Sequence, residues 1–187
     1  MISLVMDTSN SYLAVGLYQD NVCLEAFQEK GSRRQSEKAI PTLKEVLDRH
    51  DIALKDVDEM IITSGPGSYT GVRVAMTIAK TLAAVSDVKI KSVSSLAAYA
   101  GMNQALSVID ARGHKVFVGV YENGLPLIKE QVMTLEDFAQ LRAEYSDYEL
   151  VGEVGCLGLD ERECDLCANI YALGQMADPI ENVDLLV

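Results

Sequence analysis

The 187-residue chain contains no tryptophan and has three phenylalanines, two histidines, four prolines and four cysteines. His50 and His114 lie far apart, so no His-x-x-x-His metal pair exists, and with it an ordinary metallopeptidase, a glycoprotease or a histidine-based nucleophile relay is excluded. The four cysteines are Cys23, Cys156, Cys164 and Cys167; lobes with this much apolar residue need no disulfide staples, and a reducing compartment is expected. Basic residues are also short: 16 Lys+Arg face 28 Asp+Glu, for a formal charge of -12. That balance repels phosphate backbones and argues against a broad nucleic-acid face. The Arg33-Arg34 pair reads as a solvated turn. Long hydrophobic runs are missing as well. The most apolar stretch, Val72 to Val85, is broken by Arg73, Thr77, Lys80 and Thr81, so no membrane span is expected. Met1–Met6 is too short and lacks the basic start of a secretory leader, which makes the cytoplasm the expected location.

What is present is ample apolar material, 49% of residues, enough for a packed interior. Ile2–Met6, Tyr12–Tyr18 and Val22–Phe27 read as strands of an antiparallel meander, with Asp20-Asn21 as a hairpin turn. Ala39, Ile40, Leu43, Val46 and Leu47 carry helical spacing within residues 35–50, with Pro41 marking either a late start or a bend. Glu59–Thr63 reads as a buried strand, then comes a loop, a long helix to Val85, a strand at Lys89–Val93 and a short helix at Ser94–Met102. The pattern then restarts. A gapless shift of 103 positions pairs Val5 with Val108, Asp7 with Asp110, Val15 with Val118, Gly16 with Gly119, Tyr18 with Tyr121 and Leu24 with Leu127. A helix at Leu135–Glu144, a strand at Glu149–Val151 and a helix at about Asp165–Ala177 follow. The expected fold class is therefore α/β and duplicated: two lobes, 1–102 and 103–187, each built strand-strand-strand-helix-strand-helix, the second reduced, with a cleft between.

Three segments carry candidate chemistry. The run Gly65-Pro66-Gly67-Ser68-Tyr69-Thr70-Gly71-Val72-Arg73 joins a buried strand to a long helix, a geometry that either holds an anion on free backbone N–H groups or forms a tight packed turn. It is not a Walker A loop, because Gly71 is not followed by Lys-Ser/Thr. Asp7, Thr8 and Ser9 after the first strand, with Gly65, Gly67 and Ser68, make up the candidate nucleotide-proximal set; capping at a strand end is the plainer reading of Asp7. Asp110-Ala111-Arg112 occupies the matching place in the second copy without the hydroxyls. In the long helix, Gly71, Ala75, Ala79 and Ala83 form a line of small residues that permits close helix approach, beside Val72, Met76 and Lys80. An intermolecular contact through this line is expected, against ordinary core packing. Cys164-Asp165-Leu166-Cys167 is two ligands short of a zinc site and reads as two buried small hydrophobes.

Asp7-Thr8-Ser9, the Gly65–Arg73 string, Ala79-Lys80-Thr81-Leu82-Ala83, Val93-Ser94-Ser95-Leu96 and Asp110-Ala111-Arg112 together resemble the TsaB (YeaZ) family. The resemblance implies the actin/hexokinase/Hsp70-like (ASKHA) fold. It also implies a non-catalytic subunit that pairs with the transferase TsaD, and through it meets tRNA, in making N6-threonylcarbamoyladenosine beside the anticodon, for codons starting with adenine; the pairing it implies runs through first-lobe helices, the small-residue helix joined by the one bearing Ile40, Leu43 and Leu47. TsaE is the further partner implied, and a homodimer is implied for the isolated subunit. No resident cofactor is implied beyond ATP or ADP near the partner interface. TsaD holds its metal through a His-x-x-x-His motif that this chain lacks. The sequence departs from the family at Arg33-Arg34-Gln35-Ser36-Glu37, where Arg-x-His-Ser-Glu is usual, and shows no Pro-x-Tyr-Leu-Arg-like tail. The rival reading is a small actin-like ATPase or kinase using Asp7 and the Gly65–Gly71 loop.

Overall fold

A computed structural model describes residues 1–31 and 35–183; the Arg33-Arg34 pair lies outside them. Strands β1 (Ile2–Asp7), β2 (Tyr12–Gln19) and β3 (Val22–Lys30) form the expected meander, with β3 running three residues beyond its apolar stretch. Helix α1 (Gln35–Arg49) absorbs Pro41 without ending. Strand β4 (Glu59–Thr63), helix α2 (Tyr69–Val85), strand β5 (Lys89–Val93) and helix α3 (Ser95–Ala100) complete the first half. The second half runs β6 (Ala105–Arg112), β7 (Lys115–Glu122), β8 (Leu125–Thr134), α4 (Leu135–Glu144), β9 (Glu149–Gly152) and α5 (Leu166–Met176). The sheets have order β3-β2-β1-β4-β5 and β8-β7-β6-β9, the same plan with one strand fewer in the second. In each, an antiparallel meander is extended by parallel strands beyond its first member.

The two copies share a local device. Gly16 and Tyr18 sit two apart on one face of β2, as Gly119 and Tyr121 do on β7. A Cβ on Gly16 would stand 3.0 Å from the Tyr18 ring, and one on Gly119 would stand 2.7 Å from the Tyr121 ring. Each glycine thus leaves room for its own strand's tyrosine to fold back over it. The gapless match fails one strand earlier. Val5 stands opposite Gly16 in the first hairpin, whereas Ser107, not Val108, stands opposite Gly119 in the second. A one-residue slip reverses the side-chain faces, so Asp7 is buried while its sequence match Asp110 is exposed.

Five layers result: α1 and α2, the first sheet, α3 with α5, the second sheet, and α4. The middle layer is exchanged between halves. Helix α3, from residues before 102, packs on β6, β7 and β9, while α5, from residues after 103, packs across all five strands of the first sheet. Buried Cys167, Ile170 and Leu173 of α5 join Val5, Ala14 and Ile61 in one cluster. Tyr171 stacks on Tyr18 with ring centroids 3.9 Å apart. The exchange gives both halves a common core, which neither sheet would bury alone. Among the described residues no helix is long and apolar enough to cross a membrane.

Candidate functional site

The Gly65–Gly71 loop lies directly on the β1–β2 turn. Ser68 N–H donates to the Ser9 carbonyl at 2.7 Å, and Thr8 Oγ1 donates to the Gly71 carbonyl at 2.6 Å. A Cβ on Gly71 would come within 2.1 Å of the Thr8 carbonyl oxygen, and one on Gly67 within 2.4 Å of that of Ser9. These two glycines are therefore needed for close backbone approach, and the space beside them is filled by protein. Gly65, at φ 97°, accepts Ser95 N–H on its carbonyl at 2.8 Å and ties the loop to α3. Ser68 caps α2 by accepting Gly71 N–H at 3.3 Å.

Asp7 is 1% exposed. Its Oδ1 accepts three hydrogen bonds: from Ser9 N–H at 2.8 Å, Ser9 Oγ at 2.6 Å and Thr63 Oγ1 at 2.5 Å. Ser9 Oγ lies 2.9 Å from Ser95 Oγ, continuing the network to α3. Burial pushes the Asp7 carboxyl above its ordinary value, and the hydrogen bonds from Ser9 and Thr63 oppose this. The candidate residues Asp7, Thr8, Ser9, Gly65, Gly67 and Ser68 do come together, as predicted from sequence, but as a closed knot joining β1, α2 and α3. Asp7 is buried and its Oδ1 is committed to Ser9 and Thr63.

The interlobe cleft opens beside this knot as a cavity of about 610 Å³. Asn10, Ser68 and Gly71 line it from one side, and Asp110, Arg112 and Glu153 from the other, with Lys30 at the edge. Its walls are pinned: Ser11 Oγ donates to Glu153 at 2.6 Å, Glu153 accepts Asp110 N–H at 3.1 Å, and Lys30 pairs with Glu161. Cations and hydroxyls for a phosphate are present, set against two carboxylates. Among the described residues no group of three or more His, Cys, Asp or Glu is arranged for a metal ion. Cys167 is buried as expected, whereas Cys164 is half-buried. Burial pushes the Cys164 thiol up to about 11 and the Cys167 thiol up to about 12, the reverse of an activated thiolate.

The expected contact surface on α1 and α2 needs correction. Ala75 and Ala79 are fully buried, and Leu43, Leu47 and Met76 are no more than 6% exposed, all within the core between these helices and the first sheet. Gly71, Val72, Lys80 and Ala83 are half-buried at the flanks. At Ala75 and Ala79 the small-residue line is spent on the core beneath α2. Of the ten residues named, Ile40 alone is fully on the surface, at 62% exposed. Sequence spacing signals tight packing on one face without saying what packs there.

The outward face of α2 is one that the spacing argument passed over. Tyr69 is 76% exposed, and Arg73 donates to its hydroxyl at 2.7 Å with the guanidinium 5.1 Å from the ring centre. With Ile40, Val74, Thr77 and Ile78 they line a shallow groove of about 400 Å³ between α1 and α2. A surface helix pair presenting isoleucine, valine, tyrosine and arginine together has the composition of a protein interface core. The signal available in the sequence was the apolar character of α2 on more than one side.

Duplicated meanders, parallel extensions and helices between and outside two sheets define the actin/hexokinase/Hsp70-like class, here with the Gly65–Gly71 loop packed on its neighbouring turn. Comparison with known proteins narrows the class. The TsaD family, described as tRNA N6-adenosine threonylcarbamoyltransferase, matches residues 28–151. The Bacillus subtilis tRNA threonylcarbamoyladenosine biosynthesis protein TsaB is 33% identical over 153 residues, 77% of this chain and 67% of that protein. The Escherichia coli TsaB is 30% identical over 132 residues, 65% of this chain and 57% of its own length. The chain belongs to the TsaB (YeaZ) family, within the wider family of TsaD. It matches between about half and two thirds of the length of its curated TsaB relatives. Among solved structures, YeaZ from Pseudomonas aeruginosa superposes with a TM-score of 0.81 at 22% identity, covering 100% of this chain and 97% of that one. A second Pseudomonas aeruginosa protein, described as similar to peptidase YeaZ, gives 0.84 at 24% identity over 98% and 96% of the chains. At these identities the superpositions carry the fold.

Proposed function

We propose that this chain is a non-catalytic subunit of tRNA threonylcarbamoyladenosine biosynthesis that docks a TsaD-type transferase through the outward face of α1 and α2. The apolar groove bearing Ile40, Tyr69, Val74 and Ile78 carries the reading, because an exposed apolar and aromatic face on a strongly acidic protein is a protein contact in form. The TsaD-family match supports a paralogous partner with equivalent helices, so that two helix pairs would pack face to face. The transferase would supply the chemistry and the tRNA contact, while this subunit holds its helices in their active arrangement. An ATPase or kinase reading is disfavoured by the buried Asp7 and by Gly67 and Gly71 being filled by the β1–β2 turn.

The test is made in the cell of origin. Depleting the chain should reduce threonylcarbamoyladenosine in tRNA nucleoside digests, with recovery on returning the wild-type chain and none on returning Ile78→Glu. Unchanged modification after depletion would overturn the proposal.

A further inference from the structure

We propose that the small cavity behind β9 is a binding site for a zwitterion of amino-acid size. Tyr99, on α3, is 5% exposed, and its hydroxyl is buried with no hydrogen-bond partner among the described residues. A buried hydroxyl left unpaired is destabilising, so a ligand that pairs it gains directly. The ring lines a cavity of about 180 Å³ bounded by Asn103, by β9 and by the residues leading into α5. That is about six waters' worth of liquid at ~30 Å³ each, too small for a nucleotide and suited to a free amino acid.

The walls offer both signs of charge. Arg162, 81% exposed and 3.5 Å from Glu149, presents a fork suited to a carboxylate. Glu149, Glu163 and Asp165 are carboxylate partners for an ammonium; Asp165 commits Oδ1 to Ala168 N–H as the α5 cap and keeps its second oxygen. Strand β9 is a sheet edge, and Glu149 N–H and Glu153 N–H are used toward β6. By alternation the Leu150 and Gly152 backbone groups turn outward toward the cavity. The three carboxylates exclude a bare anion and attract an ammonium, and the Arg162 fork adds a partner that only a molecule also carrying a carboxylate can use. The site lies apart from the α1–α2 groove, and the inference does not rest on the partner reading.

Calorimetric titration and thermal melts of the full chain test it, with the free L-amino acids as probes and with ethylamine and acetate as single-charge controls. At least one amino acid should bind with one-to-one stoichiometry and raise the Tm, and neither control should match it. Tyr99→Phe should melt no lower than the wild type without ligand, since it removes an unpaired hydroxyl. It should also weaken binding by on the order of tenfold, the equivalent of one hydrogen bond. Arg162→Ala, at an exposed position, keeps the test valid should Tyr99→Phe not fold, and should weaken binding at least as much. No binding by any amino acid, equal binding by acetate or ethylamine, or affinity unchanged in both variants would each overturn the proposal.

Discussion

Glu59 and Lys91 make the most exposed prediction, because they place a charge pair inside an apolar protein. The Glu59 side chain is 4% exposed and that of Lys91 11%, with nitrogen and oxygen 2.9 Å apart. The other Glu59 oxygen accepts Ser3 Oγ at 2.7 Å and Gln175 Nε2 at 3.0 Å, and Lys91 donates to the Gly174 carbonyl at 3.0 Å. The cluster therefore fastens the end of α5 to β1, β4 and β5. Replacing Glu59 by Ala leaves a buried ammonium and two orphaned donors, a loss of about 3–5 kcal/mol. For a chain of this length that corresponds to a Tm drop of roughly 6–20 °C, at about 2–4 °C per kcal/mol. Lys91→Met should cost a comparable amount. The double variant Glu59→Ala/Lys91→Met should cost less than the sum of the two, because no unpaired charge remains. Burial raises the Glu59 pKa, but hydrogen bonds from Gln175, Lys91 and Ser3, with the Lys91 charge, outweigh it and hold the carboxyl below its ordinary 4.5. A lowered carboxylate pKa contributes stability above the unfolded value and loses it as pH falls through the folded one. The gap between wild type and Glu59→Gln should therefore close below pH 4.5. Urea unfolding of the five proteins across pH measures all of this. Strict additivity of the single variants, or a single-variant cost under about 1 kcal/mol, would refute the reasoning.

Other outcomes follow from burial on α2 and around the loop. Ala79→Glu puts a carboxylate into a fully buried position and should unfold the chain or cut its melting temperature sharply, while Thr77→Glu, exposed two residues away, should melt within about 0.5 kcal/mol of wild type; circular-dichroism melts decide, and equal effects would contradict the helix orientation. Gly71→Ala drives a Cβ to within 2.1 Å of the Thr8 carbonyl and should cost at least about 1–3 kcal/mol in denaturant titration. Alkylation of the native protein near neutral pH, read by peptide mass spectrometry, should label exposed Cys23 first and leave Cys164 and Cys167, whose thiols are raised to about 11 and about 12, largely unmodified; rapid labelling of Cys167 would show that α5 does not stay packed.

The sequence disclosed what depends on local pattern. Alternating strands follow from periodicity, and the matching of Gly16 with Gly119 and of Tyr18 with Tyr121 from the 103-residue shift, whereas the Gly65–Gly71 run left an anion-holding loop and a packed turn both open. The inert thiols were legible from the missing ligands. What stayed hidden depends on long-range placement. The Gly71–Ala83 line announces close packing, yet a strand and a second helix fit it equally well. Lys91 looks like any strand cation until β4 and α5 bring Glu59 and Gly174 to it. Asp7 and Asp110 align in sequence, and a one-residue slip of β6 separates them into buried and exposed. The exchange of α3 and α5 between sheets leaves no local trace, because each helix carries the apolar residues that either sheet would accept.

The most direct test of the docking claim is light scattering on a sizing column, with the chain alone and mixed with the same organism's TsaD protein. A one-to-one complex with wild type and Thr77→Val, lost with Ile78→Glu while that variant still melts as a folded protein, is the predicted result. A complex that forms equally well with folded Ile78→Glu, or no complex at all with wild type, would contradict the assignment of this face.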